Sequence, residues 1–199
     1  DKDAEMLTEY LLTMQIHQEK SQYANLMVQL SPFLYELFLA YLKMNITIPI
    51  LSYREKIGGK RILRRETLLH KPLGTELVSF LDEKFGSPYR DGELSFILLY
   101  QIFAFAGQKD AVVNLERHTD FMKNSLINHI DNIRKLRNNA AHEIVNVTKE
   151  TVMKRTGMNP SEIIQSCWQL LSLTYGPEIN RQRMAYKNIN QWIEDTLKP

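Results

Sequence analysis

The sequence predicts an all-α helical bundle with a short basic β-hairpin inserted in it. Apolar residues recur at helical spacing over most of the chain, and glycines and N-cap residues punctuate those segments. One β-branched stretch around a Gly-Gly pair breaks the helical pattern. Strands never alternate with helices, which excludes a doubly wound sheet. With 199 residues, 44% hydrophobic and 24% charged, the chain has the mixture of an ordinary folded domain. No internal repeat and no linker-like tract divides it, so residues 1–199 are expected to form a single domain, with the hairpin insertion at 46–71.

The chain opens at Asp1 directly into a helical pattern through Met6, Leu7, Tyr10, Leu11 and Met14. Without an initiator Met it reads as a fragment or a processed chain. Ser31 as N-cap and Pro32 at the first helical position predict a second helix. Its body, 33–44, is apolar on nearly every side and is expected in a core or an interface. Residues 46–53 are β-branched and aromatic, Gly58-Gly59 follows, and 60–65 resumes with Ile62 and Leu63: the pattern of a hairpin with a glycine turn. After Pro72, helices are predicted over 73–85 and 92–106, ended by Gly86 and Gly107 as C-terminal caps. A long helix over about 110–137 comes next, then a short one over 148–155. The next opens on Asn159-Pro160 with Glu162 as capping partner, and the last covers about 180–197.

The longest apolar stretch, 96–106, is 11 residues long and contains Gln101, too short for a membrane span of about 20 residues. A single cysteine, Cys167, excludes an internal disulfide, and no signal-peptide pattern opens the chain, so a cytoplasmic protein is expected. Net charge is +2, but its distribution is uneven. Residues 1–50 carry three basic against six acidic side chains, and residues 51–71 carry seven against two. Excess positive charge is therefore local to the predicted hairpin. The run Arg54, Lys56, Lys60, Arg61, Arg64 and Arg65 can track an RNA backbone, or serve as a solvated, edge-protecting face. His17, His70, His118 and His129 show no metal-ligand spacing, and Gly58-Gly59 lacks the P-loop pattern, so no metal and no cofactor is expected. Cys167, beside Trp168, reads as core.

The end of the predicted long helix carries the strongest chemical signal. Met122, Leu126, Ile130, Ile133 and Arg137 keep one helical face, and that stripe ends on an arginine. The chain then reads Arg137-Asn138-Asn139-Ala140-Ala141-His142, an Arg-x4-His pair across small residues. Such an arginine can hold a phosphodiester bidentately, and a histidine titrating near neutrality can move a proton to or from a ribose hydroxyl. RNA cleavage needs little else, because the 2′-hydroxyl is itself the nucleophile. With 11 arginines and 5 histidines the spacing arises by chance about 0.3 times, and Arg65-x4-His70 is a decoy with the same spacing. Context favours 137 and 142: the helical stripe, the following asparagine and the small interval. Each residue also has a plain structural reading. Arg137 can compensate a helix C-terminus, His142 can be satisfied by a carbonyl, and Asn138 can terminate a helix.

Arg137-Asn138-x3-His142, closing a helix in an all-α chain, resembles the Arg-polar-x3-His signature of the HEPN superfamily of metal-independent ribonucleases and their inactive relatives. It looks most like the C-terminal HEPN region of the Csm6-like CRISPR type III-A accessory ribonucleases, which pair it with an N-terminal CARF sensor domain. The signature spans residues 137–142, and the compatible helical arrangement covers roughly 92–199. The resemblance implies a HEPN-type bundle and a homodimer that brings two copies of Arg137 and His142 into one composite site, with Asn138 in support. It also implies cleavage of single-stranded RNA to a 2′,3′-cyclic phosphate in antiviral defence, switched on by cyclic oligoadenylate bound to the sensor. No α/β sensor pattern lies in this sequence, so the chain is expected to be the effector half, with no site for that activator. Arg54, Lys60, Arg61 and Arg64 are the expected RNA-backbone contacts. The competing reading is a catalytically inactive HEPN dimerisation or antitoxin-type interaction module, since a helical bundle alone implies no reaction.

Overall fold

In chain order the helices of the computed structural model are α1 (Lys2–Glu19), α2 (Tyr23–Asn45), α3 (Arg65–Leu69), α4 (Gly74–Phe85), α5 (Phe96–Gln108), α6 (Leu115–Lys123), α7 (Ser125–Asn128), α8 (Ile130–His142), α9 (Lys149–Thr156), α10 (Pro160–Tyr175) and α11 (Ile179–Leu197). Strands β1 (Arg54–Ile57) and β2 (Lys60–Leu63) form the one hairpin among the described residues. These are residues 2–142 and 147–197, without the side chains of Asn139, Ala141, His142 and part of α11. The all-α class with an inserted hairpin is thus what the chain adopts. Its contacts divide it into two compact units, Asp1–Leu37 with Lys123–Pro199, and Phe38–Met122, the boundaries falling inside α2 and α6.

In the first unit α10 is the central helix, packed by α1, α7, α9 and α11. It starts as the sequence predicts. Asn159 Oδ1 accepts from the Glu162 N–H at 2.9 Å while Glu162 Oε2 accepts from the Asn159 N–H at 2.9 Å, and Pro160 occupies the first turn. Ile163, Ile164, Cys167, Trp168, Leu170 and Leu171 are buried along it, which bears out Cys167 as a core residue. Burial pushes the Cys167 thiol well above its ordinary value. From α1, Leu7, Leu11 and Met14 fill the facing groove, and Trp168 Nε1 donates to Gln15 Oε1 at 3.3 Å. Arg183 of α11 stacks over the Trp168 ring at 5.1 Å.

The second unit is organised around an aromatic cluster. Tyr41 and Phe121 stack at 3.6 Å between centroids, and Phe38 and Phe103 close around them. His118 is buried in this cluster, its Nε2 3.0 Å from the Phe103 carbonyl and its Nδ1 3.1 Å from the Tyr41 hydroxyl. A neutral ring donating from Nε2 and accepting at Nδ1 satisfies both contacts, and burial depresses its pKa. The hairpin pairs Arg54 with Leu63, Glu55 with Ile62, Lys56 with Arg61 and Ile57 with Lys60. Gly58 and Gly59 turn it with φ of 56° and 83°, values that favour glycine at both positions. At its base, Leu63 is fully buried and bridges Gly92, and the Tyr89 hydroxyl donates to the Leu63 carbonyl at 2.9 Å.

Four element expectations are corrected. The second helix begins at Tyr23, not at Ser31, and Pro32 lies inside it. Leu26, Met27 and Leu30 ahead of the proline are completely buried. Burying three such side chains contributes about 1.5–3 kcal/mol each, which outweighs the roughly 3 kcal/mol an interior proline costs. Strand structure does not begin at 46: Ile46 makes a single bridge to Val112, residues Ile50–Tyr53 form a 3₁₀ turn, and β1 starts at Arg54. Gly107 is no cap but lies inside α5, where a Cβ would sit 2.9 Å from His118 Nε2. Close approach of that ring is what requires the glycine. Lastly, the long helix over 110–137 is three helices.

Candidate functional site

The break that divides the expected long helix also positions its end. Asn124 leaves helical conformation at ψ 133° and caps α7, its Oδ1 accepting from the Leu126 N–H at 3.0 Å. Its Nδ2 donates to the Ser166 carbonyl at 3.4 Å and Gln169 Oε1 at 3.3 Å, both on α10, so the cap is also a buried anchor. His129 ends α7, and α8 starts at once. The stripe Met122, Leu126, Ile130, Ile133, Arg137 therefore does not run along one helix. Its last part does: Ile133 and Leu136 are buried, and Arg137 and Ala140 are half-buried at the i, i+3, i+4, i+7 positions of α8.

Arg137 thus enters the apolar side of α8 as a charged residue. One Nη1 donates to Asn138 Oδ1 at 3.1 Å. Its Nε is buried and finds no hydrogen-bond acceptor among the described residues. A buried donor left unmatched costs about 1–3 kcal/mol, more when it is charged, so a guanidinium without an acceptor among the described residues is suited to an anionic one. Asn138 is exposed and orients one edge of the fork. The His142 backbone closes α8. Its side chain, like that of Asn139, lies outside the described residues. Five helical residues turn through about 500°, which sets positions 137 and 142 about 140° apart around the axis and about 7.5 Å apart along it.

The decoy pair takes a different form. Arg65 binds Asp82 through both nitrogens of its fork, at 2.6 and 2.7 Å, and Asp82 also accepts the Tyr89 N–H at 2.6 Å. These contacts hold the Asp82 carboxyl down at about 2. His70 is an exposed cap residue at the end of α3. The remaining hairpin cations differ in their commitments. Arg64 reaches Glu55, Glu66 and Asp91 at 3.2, 3.0 and 3.4 Å, Lys60 reaches Glu93 at 3.2 Å, and Arg54 Nε donates to the Leu51 carbonyl at 3.4 Å. Arg61 and Lys56 are exposed. Much of the charge excess in 51–71 is therefore answered by carboxylates from outside that segment, at Asp82, Asp91 and Glu93. Among the described residues no three His, Cys, Asp or Glu side chains are grouped to hold a metal ion, and no helix is long and apolar enough to cross a membrane.

A helical fold with one small hairpin among the described residues accords with an all-α domain of the HEPN type. The pattern of the Cas_Csm6 HEPN domain family matches residues 1–194, and the chain belongs to that family. It is thus a HEPN domain of the Csm6-like ribonucleases of CRISPR defence. No individual curated protein matches it.

Proposed function

We propose that this chain is a metal-independent endoribonuclease domain that cleaves single-stranded RNA through its own 2′-hydroxyl. The observation that carries the reading is Arg137: a half-buried guanidinium on the apolar stripe of α8, with a buried Nε–H that has no acceptor among the described residues. A phosphodiester offers the paired anionic oxygens that such a fork matches. In the proposed reaction the 2′-oxygen attacks the adjacent phosphorus, Arg137 stabilises the charge that builds on the non-bridging oxygens, and the 5′-oxygen leaves. His142 serves as general base at the 2′-oxygen or general acid at the 5′-oxygen, and the products are a 2′,3′-cyclic phosphate and a 5′-hydroxyl. No water is consumed in that step.

The angular separation of positions 137 and 142 supports a site assembled from two copies of the chain rather than from one helix alone. In this reading residues 1–199 are one effector domain working in the cytoplasm, and cyclic oligoadenylate acts only through a sensor domain outside this chain. RNA with a single ribonucleotide in an otherwise 2′-deoxy strand tests the chemistry. Cleavage only on the 3′ side of that ribonucleotide, leaving a cyclic phosphate, is expected. Cleavage of the all-deoxy strand, or a 5′-phosphate product, would contradict the mechanism.

A further inference from the structure

The hairpin register places Lys56 directly opposite Arg61. Directly paired residues share one face of the sheet with Cβ atoms about 4.5–5.5 Å apart, and two like charges there repel. Every other pairing in the hairpin avoids this, joining Arg54 to Leu63, Glu55 to Ile62 and Ile57 to Lys60. Neither Lys56 nor Arg61 has an ion-pair partner among the described residues, although Lys60, Arg64 and Arg65 around them all do. Both are exposed, beside the exposed Ile57 and the Gly58-Gly59 turn, and Arg54 lies two residues from Lys56 on the same face. The base of the hairpin is buried and tied by Leu63, Tyr89 and the Arg64 carboxylates, so its tip is an exposed, rigidly based double cation.

We propose that the Lys56–Arg61 pair is a phosphate-backbone contact for single-stranded RNA, separate from Arg137 and His142. The inference rests on the ribonuclease reading for its choice of polyanion, and on the hairpin geometry for its residues. It reassigns the roles expected along the basic run: Arg64, Arg65 and Lys60 hold the hairpin to its surroundings, while Lys56 and Arg61 meet the ligand. Backbone phosphates neutralise both cations at once and release counterions, which makes the contact salt-dependent and independent of base sequence.

The test measures binding of a fluorescently labelled 20-nucleotide RNA at 0.05–0.3 M salt. The proteins are a His142→Ala parent and the same chain carrying Lys56→Gln and Arg61→Gln. Loss of two phosphate contacts is expected to weaken binding about 10-fold at 0.1 M salt and to flatten the slope of log affinity against log salt by about 1.4. Melting temperature should hold or rise in that variant, because a repulsive pair is removed, whereas Arg64→Gln should lower it. An unchanged slope overturns the proposal, as does failure of the parent to bind RNA. So does polyglutamate binding with equal affinity and slope, which would assign the pair to an acidic protein. Cleavage is scored separately on the wild type. An active wild type with an unchanged slope removes only the hairpin contact, while a flattened slope in an inactive chain supports the contact and counts against the ribonuclease reading.

Discussion

At the scale of single residues, two side chains bear on the proposed chemistry and on stability. Arg137 is half-buried with an Nε–H that has no acceptor among the described residues, and in the proposed reaction truncating it removes the group that binds phosphate. His118 is the contrasting case, a buried histidine whose two nitrogens are both engaged. Its depressed pKa has a definite sign: the unfolded chain takes up the proton first, so the stability it contributes is complete above about pH 6.5 and declines as pH falls below that. Burial raises the pKa of the Tyr41 hydroxyl in this cluster, and the charge of Arg117 opposes that rise. Thermal melts from pH 7.5 to 5 should show wild type losing up to about 1.4 kcal/mol per pH unit more than His118→Asn; parallel curves would contradict the buried neutral ring. Of the proposed site, the half-buried place of Arg137 on the apolar side of α8 was legible in the sequence from its spacing to Ile133, whereas the expected stripe back to Met122 is broken at Asn124. Commitment of Arg65 to Asp82 was not legible, because its partner lies 17 residues away across a turn.

At the scale of elements, several local signals hold and others yield to tertiary packing. The Asn159-Glu162 capping box, the Gly58-Gly59 turn and the Gly86 cap are short-range devices and stand where the sequence places them. Asn159→Ala should cost about 1 kcal/mol in a denaturant melt, and no loss would mean that α10 is started by its packing alone. Pro32 reverses its local meaning, whereas Asn124 acts as a cap inside an apparently continuous helical pattern. The proline is overridden by the buried side chains before it, and the asparagine breaks a helical pattern because Ser166 and Gln169 of α10 give its amide two acceptors. Pro32 is exposed inside α2, so Pro32→Ala should raise the melting temperature by restoring a helical N–H. Conversely, Gly107→Ala gains about 1 kcal/mol of helix propensity but drives a Cβ against a ring fixed by two hydrogen bonds. Overpacking of about 1–3 kcal/mol should win, and a stabilised variant would show that His118 can move aside.

At the scale of the whole molecule, family membership fixes the kind of domain, and the proposed composite site asks for two copies of it. A composite site predicts a dimer, seen in light scattering at micromolar concentration as twice the 23.3 kDa chain mass. Specific activity should then fall on dilution below the dimer's dissociation constant; a fully active monomer would contradict the shared site. The central claim is that Arg137 and His142, without a metal ion, cleave RNA. It is tested most directly by cleavage of a labelled single-stranded RNA in EDTA by wild type, Arg137→Ala, His142→Ala and the decoy His70→Ala. The account predicts cleavage by wild type and His70→Ala, and a loss of about 10²–10⁴-fold in the other two at unchanged fold. Cleavage that vanishes in EDTA, or that survives both substitutions, would contradict it.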